Sequence, residues 1–398
     1  MDRLVLLMAT TFQSARHLDV NRETRLIVHG NDTTAIQVRF WIMIRFNMGA
    51  GQAKYRRFKR TGISRRDVLA IVLVVGLGGL FLFTYLFDSR LGARRRYCEF
   101  RQMSLGRALL RYESHFGYFP AYRGSLNPLA EDAPVVGWGY FILPYVGVDY
   151  DSNNLQYDPK QDTRLGPWEE IHQQYGPTAS REKQSQISQV YIPQLVCPGD
   201  VPPHLTKDVP PVAWSSYVVN GGLPDASLPN AVDSPFPPDW PANGMFLSGD
   251  LPPGHEFAFR VTVEMLKQAD GAANTLMLSE NLDSGLWTDA KEAQVTFLWV
   301  PNVRDSQADP DGELLRINQR AGQGQGTGKV LFARPSSTHR GGVNVLYADG
   351  HTEFLSDQLD YAIYTYKMTS DGRRLRLPGS DQPIGPPYQI PDTMPADP

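Results

Sequence analysis

Cysteine is scarce in this chain: 398 residues carry only Cys98 and Cys197. Two thiols cannot close a tetrahedral zinc site by themselves, but they can form one disulfide. Surplus charge is missing as well. A formal net charge of −3 gives no overall electrostatic pull toward nucleic acid or acidic surfaces. No nucleophile motif and no phosphate-binding loop is present, which leaves the main hydrolase and nucleotide classes without support. What the chain has is 41% apolar residues, enough for a sizeable core, together with 35 glycines and 31 prolines. That abundance of chain-turning residues points to short strands and long loops rather than a helical bundle.

One apolar run stands apart. Val68 to Phe87 reads VLAIVLVVGLGGLFLFTYLF, twenty residues without a charge between Asp67 and Asp88. As a helix it would extend about 30 Å, the hydrocarbon thickness of a bilayer. Its fourteen Leu, Ile, Val and Phe residues favour insertion by about 4–8 kcal/mol. The reading is a membrane anchor; a buried core helix and a cleaved secretory signal compete with it, and Arg94-Arg95-Arg96 downstream disfavours the signal. Seven basic residues between Lys54 and Arg66, against Arg90, Arg94, Arg95 and Arg96 beyond the span, place the N-terminus inside. The expected location is therefore a single pass through the inner (cytoplasmic) membrane, with the later domain periplasmic or extracytoplasmic. Beside a span, the basic run meets anionic lipid headgroups rather than nucleic acid.

The expected organisation is a cytoplasmic tail over 1–66, a transmembrane helix over 67–88, a continuing helix over 89–120, an extracytoplasmic α+β domain over 121–370 and a proline-rich mobile tail over 371–398. Residues 1–47 have no role in this scheme, and Met48 is a candidate translation start. In the continuing helix, Cys98, Leu105, Leu109, Tyr112 and Phe116 fall on one stripe facing a core. Gly117 suits the left-handed residue that closes a helix, and Pro120 prevents its resumption. Residues 121–190 read as long loops with brief strands. Leu276 to Ser279 reads as a short buried strand after the turn pair Asp270-Gly271. From Pro378 onward, seven of twenty-one residues are proline, which suits an extended arm.

The stretch HRGGVNVLYADGHTEF, 339–354, holds His339, Asp349 and His351 within thirteen residues. Val343, Val345 and Tyr347 alternate with Asn344 and Leu346, Asp349-Gly350 supplies a tight turn, and His351 to Phe354 can return as the partner strand. A hairpin is favoured over a catalytic or metal site, because local sequence offers no third metal donor.

Several segments resemble one family in order along the chain. They are Ala93-Arg94-Arg95-Arg96-Tyr97-Cys98, Leu105-Gly106-Arg107-Ala108-Leu109, Tyr118-Phe119-Pro120, Leu143-Pro144-Tyr145, Cys197-Pro198-Gly199-Asp200, Ser216-Tyr217 with Asn220-Gly221-Gly222, Asn243-Gly244-Met245-Phe246, and Asp270-Gly271 with Asn274-Thr275 and Glu280. The set closes on His339, nine residues, then Asp349-Gly350. This series is similar to the large planctomycete family DUF1559, whose members are pilin-like, often carry a prepilin-type N-terminal segment and share the H-X9-DG signature. The resemblance covers about residues 93–357. It implies a pilin-like α+β fold: a long N-terminal helix, its first half in the membrane and its second half packed on an antiparallel β-sheet domain with long loops. A prepilin processing site would fall at Gly62, with Asp67 as the acid at the fifth following position. Arg65 and Arg66 then stand where apolar residues belong, which favours an uncleaved anchor.

The leading function is a pseudopilin-like structural or assembly subunit without catalysis, partnered by membrane lipid and by itself or other pilin-like chains, as in type II secretion-like systems. An anchored solute- or glycan-binding module is the alternative, motivated by Trp138, Trp168, Trp214, Trp240, Trp287 and Trp299 in aromatic-rich loops. A hydrolase would depend on His339, Asp349 and His351. No cofactor is expected, calcium at Asp309, Asp311 and Glu313 being the weak candidate. Cys98 and Cys197 are a candidate disulfide tying the helix to the sheet domain.

Overall fold

A computed structural model describes residues 64–127, 133–147, 166–200, 214–301 except 229, 231 and 253, and 316–384 except 320, 321 and 324–326. The chain divides into two units, 1–65 and 66–398. Nearly everything described belongs to the second. Gly62 and the acidic turn with Asp309, Asp311 and Glu313 fall outside the described residues, as do Met48 and the tail beyond residue 384.

Helix α1, Arg65–Phe116, runs unbroken for 52 residues. Its N-terminal part holds the apolar run. Val68, Leu69, Ile71 to Val75, Leu77, Leu80 and Phe83 each expose about half or more of their surface. The side chains of residues 67, 81, 82 and 84–89 are not among those described. Among the described residues, no helix is long and apolar enough to cross a membrane. From Cys98 onward one face of the helix is covered, with Cys98, Leu105, Ala108 and Leu109 fully buried and Phe100 left 57% exposed. The helix closes where expected: Gly117 takes φ +82° and its N–H donates to the Glu113 carbonyl at 2.6 Å. The predicted stripe runs one turn too far, because Phe116 remains 48% exposed and leans its ring against Tyr112 at a tilt of 38°.

The covered half packs on a five-stranded sheet of order β6-β3-β5-β7-β8, with β3 Tyr217–Gly222, β5 Leu276–Glu280, β6 Thr296–Leu298, β7 Gly342–Tyr347 and β8 Thr352–Ser356. All pairs are antiparallel except β3 with β6. The expectation of a purely antiparallel sheet is thus corrected. The connection after β5 passes through helix α6, Glu292–Val295, and delivers β6 to the far edge of β3 in the parallel sense. A smaller sheet, β2-β1-β4, joins β1 Arg123–Ser125, β2 Val135–Gly137 and β4 Ser248–Gly249. The fold is mixed α and β with two sheets.

Both faces of the large sheet are buried, which is why β3, β5 and β7 show no exposed position. On one face, Tyr217, Val219, Met277 and Leu346 pack with Leu105, Ala108 and Leu109 of α1. On the other, Val218, Leu276, Val343, Val345 and Tyr347 pack with Trp299, Leu375 and with Tyr364 and Met368 of helix α7, Tyr361–Met368. Gly106 sits at the tightest helix–sheet contact: a Cβ there would meet Leu346 Cδ2 at 2.7 Å. Polar bonds fix the docking, with Gln102 Nε2 donating to the Asn344 carbonyl at 2.8 Å and Tyr217 Oη to the Cys98 carbonyl at 3.1 Å.

The Asn220-Gly221-Gly222 and Asn243-Gly244 segments also have a structural account. A Cβ on Gly244 would lie 2.5 Å from Gly222 Cα, so the two backbones touch directly. Asn220 holds them there: its carbonyl accepts from the N–H of Met245 and Phe246, and its amide donates to Met368.

Two expectations about loops are revised. Residues 169–189 form helices α3, Glu169–Gln174, and α4, Arg181–Gln186, followed by a 3₁₀ turn; α2 is Trp138–Ile142 and α5 Val263–Gln268. The arm expected from residue 371 is packed as far as 384. Leu375 and Ile384 are buried, and Trp240 Nε1 donates to the carbonyls of Leu377 and Ser380. Its prolines end ladders without preventing apolar contacts.

Candidate functional site

His339 and Asp349 stand at opposite ends of β7. A six-residue strand rising about 3.4 Å per residue separates its ends by about 17 Å, so the signature spacing measures one strand. Asp349-Gly350 makes the turn: Gly350 takes φ +94°, and Asp349 Oδ1 accepts from the His351 N–H at 3.0 Å. His351 Nδ1 lies 2.6 Å from Asp349 Oδ1, its ring stacked 4.2 Å from Tyr347, and both side chains are well exposed. His339 makes none of these contacts. The geometry does not bring His339, Asp349 and His351 together as a hydrolase would require.

At the other end of β7, His339 enters a different group. It is buried, with Nε2 3.1 Å from Glu280 Oε1 at the end of β5. The other carboxylate oxygen of Glu280 accepts from the Asn344 N–H at 3.1 Å. Both oxygens of this buried acid therefore have partners, which offsets its desolvation. Beside the pair, Cys98 Sγ and Cys197 Sγ are joined in a disulfide, with Cα atoms 5.0 Å apart. His339 Nε2 lies 3.7 Å from Cys197 Sγ. One donor atom from each of Cys98, Cys197, Glu280 and His339 falls within 4.8 Å of the others, and all four residues are buried.

The surrounding chain shapes this group. In Cys197-Pro198-Gly199-Asp200 the Gly199 N–H donates to Cys197 Sγ at 3.4 Å. A Cβ on Gly199 would meet Thr338 Oγ1 at 2.9 Å and His339 Cε1 at 3.3 Å, so glycine lets the two segments close over the sulfur. Burial pushes the Asp200 carboxyl up to about 6, the Glu280 charge adding to the shift.

A second polar group was not foreseen. Tyr122 Oη donates to Asp225 Oδ2 at 2.5 Å, and the Glu292 carboxylate accepts from the Asp225 N–H. Burial raises Asp225 to about 6; it holds Asp239 and Glu292 well above the carboxylate range, the Asp225 charge adding to both shifts. Arg123 is the nearby cation, paired with Asp250 and 3.9 Å from Asp225. Of the six tryptophans singled out above, Trp138, Trp214, Trp287 and Trp299 are buried and serve the core.

Glu280 was visible in the sequence only as one element of an ordered series. Its partner lies 59 residues away, so spacing alone gives no sign of the pair. The only local signal is an acid ending a strand that opens with Leu276, Met277 and Leu278, a position that demands a partner once both faces are covered.

The class defined here is a helix-on-sheet α/β domain, clasped at one end by a disulfide and a buried His–Glu pair. The chain matches the family described as "Protein of unknown function (DUF1559)" over residues 89–362, more than half of its length, and it belongs to that family. No curated protein and no solved structure matches it.

Proposed function

We propose that this chain is a membrane-anchored, pseudopilin-like structural or assembly subunit, N-terminus inside, displaying a non-catalytic extracytoplasmic domain. The observation that carries this reading is the asymmetry of α1. One helix has a face covered by the sheet from Cys98 onward, yet displays apolar side chains to its surroundings over Val68 to Phe83. A surface of that kind needs lipid or sibling helices around it. Gly76, Gly78 and Gly79 have no atom within 4 Å of an added Cβ, leaving room for a second helix to approach closely. The test is in-cell photo-crosslinking from a probe at Leu77, followed by mass spectrometry. Self-adducts or adducts with other pilin-like chains are expected; capture of lipid alone would reduce the chain to a solitary anchor and overturn the assembly role.

A second reading, an anchored module for a solute or glycan, is favoured by one groove. A cavity of about 390 Å³ is lined by Tyr112, Tyr118, Phe141, Asp250 and Arg260 among others. Aromatic faces with a carboxylate and a guanidinium suit a sugar ring. Thermal stabilisation of the protein by members of a glycan panel, lost on Tyr118→Ala, would favour this reading over the first.

A further inference from the structure

We infer that Cys98, Cys197, His339 and Glu280 form a redox-gated site for a zinc-like divalent cation, available when the disulfide is reduced. Four facts support it. The donor set is two sulfurs, one imidazole nitrogen and one carboxylate oxygen, a complement suited to tetrahedral Zn²⁺. The donor atoms already lie within 4.8 Å of one another. A tetrahedron with zinc bonds of about 2.0–2.3 Å has edges of about 3.3–3.8 Å, so small side-chain movements suffice. The outer supports are also in place. The Gly199 N–H points at Cys197 Sγ, and the Asn344 N–H holds the second oxygen of Glu280. Such backbone donors stabilise thiolate charge and orient a ligating carboxylate.

Charge and access are consistent with the same assignment. Two thiolates and one carboxylate around a dication leave one net negative charge, and the Arg101 guanidinium binds the carbonyls of Pro193 and Val196 beside Cys197. His339 is flanked by exposed Thr338 and Arg340, so the site lies one residue beneath the surface.

The redox step balances as thiol–disulfide exchange. A dithiol reductant delivers two electrons and two protons to Cys98–Cys197 and leaves as its own disulfide. Cation binding then expels the two thiol protons as the Zn–S bonds form. In either state helix α1 stays tied to the loop carrying Cys197, by a covalent bond under oxidising conditions and by a metal under reducing ones.

The test uses the full chain purified in detergent, reduced with a phosphine, which takes oxygen from water and becomes the phosphine oxide. Titration with Co²⁺ should give one equivalent of thiolate-to-cobalt charge-transfer absorption, displaced by Zn²⁺ and missing from the oxidised protein. His339→Ala and Glu280→Gln should each weaken binding by at least about tenfold, with the charge-transfer band retained. Cys98→Ser/Cys197→Ser should abolish the band. Folding of the reduced chain is followed in parallel by circular dichroism. A folded, reduced chain without the band, or affinity unchanged in His339→Ala, overturns the assignment. So does a reduced chain that unfolds and is not refolded by Zn²⁺.

Discussion

The two halves of α1 share one backbone and one handedness, yet their side chains live in different worlds. Over Val68 to Phe83 the described apolar residues are open, and added atoms on Gly76, Gly78 or Gly79 meet nothing. Over Cys98 to Leu109 one face, with Cys98, Leu105, Ala108 and Leu109, is sealed against the sheet while Phe100 stays exposed, and Gly106 has no space to spare. Apolarity therefore does not reveal burial within a chain; what decides it is whether another part of the same chain carries a complementary face. The sheet carries one only for the second half.

The contrast can be broken most strongly at leucine. Leu105→Ala should destabilise the folded domain by about 2–5 kcal/mol, since a sealed cavity remains, whereas Leu73→Ala should leave the domain's denaturant midpoint unchanged. Equal losses from both, in parallel denaturation of the two variants, would show that the halves are not different after all. Glycine gives a smaller and sharper comparison. Gly106→Ala forces Leu346 aside, costing about 1–3 kcal/mol of overpacking against about 1 kcal/mol of helix propensity gained. A net loss of up to about 2 kcal/mol follows, while Gly78→Ala should bring none; thermal melts of the two proteins decide it.

The smallest effect concerns pH, because among the described residues the buried acids lie in the covered region. Asp200 and Asp225 have carboxyls raised to about 6 from an ordinary 3.8, chiefly by burial. The folded state keeps these protons to higher pH than the unfolded chain does. The stability these two groups contribute is therefore full below about pH 4 and is lost as pH rises through about 6. Melting temperature should fall by a few degrees between about pH 5 and about pH 7.5, and Asp200→Asn should remove part of that fall. A melting temperature that rises over this interval would contradict the assignment of these acids.

Local signals in the sequence translated well into structure. The hairpin follows from alternation and one Asp-Gly pair, and α1 from a long apolar run continued by a stripe of Cys98, Leu105 and Leu109. Each needs only neighbours within a few residues. The rest depended on pairings that spacing does not encode. Which edge of β3 receives β6 is a matter of how the connection crosses the sheet. Trp240 captures the carbonyls of Leu377 and Ser380 from more than 130 residues away, and a proline-rich composition hides such a contact. The partnership of His339 with Glu280 was hidden for the same reason, although each residue was noted separately. The H-X9-DG spacing itself proves to be a ruler for one strand, with a buried anchor at one end and a turn at the other.

The disulfide also determines how the molecule would bear load. Tension applied between the exposed half of α1 and the sheet enters at Cys98 and passes directly to Cys197, bypassing a sequence separation of 99 residues. The last turns of α1, the small sheet and the groove beside Tyr118 lie within that bypassed loop or lean on it. Fully extended, it would contribute roughly 330–360 Å of chain. While the bond holds, none of that length can be paid out under force, so the domain yields only in the strands beyond Cys197, and reduction changes its extensibility more than its shape.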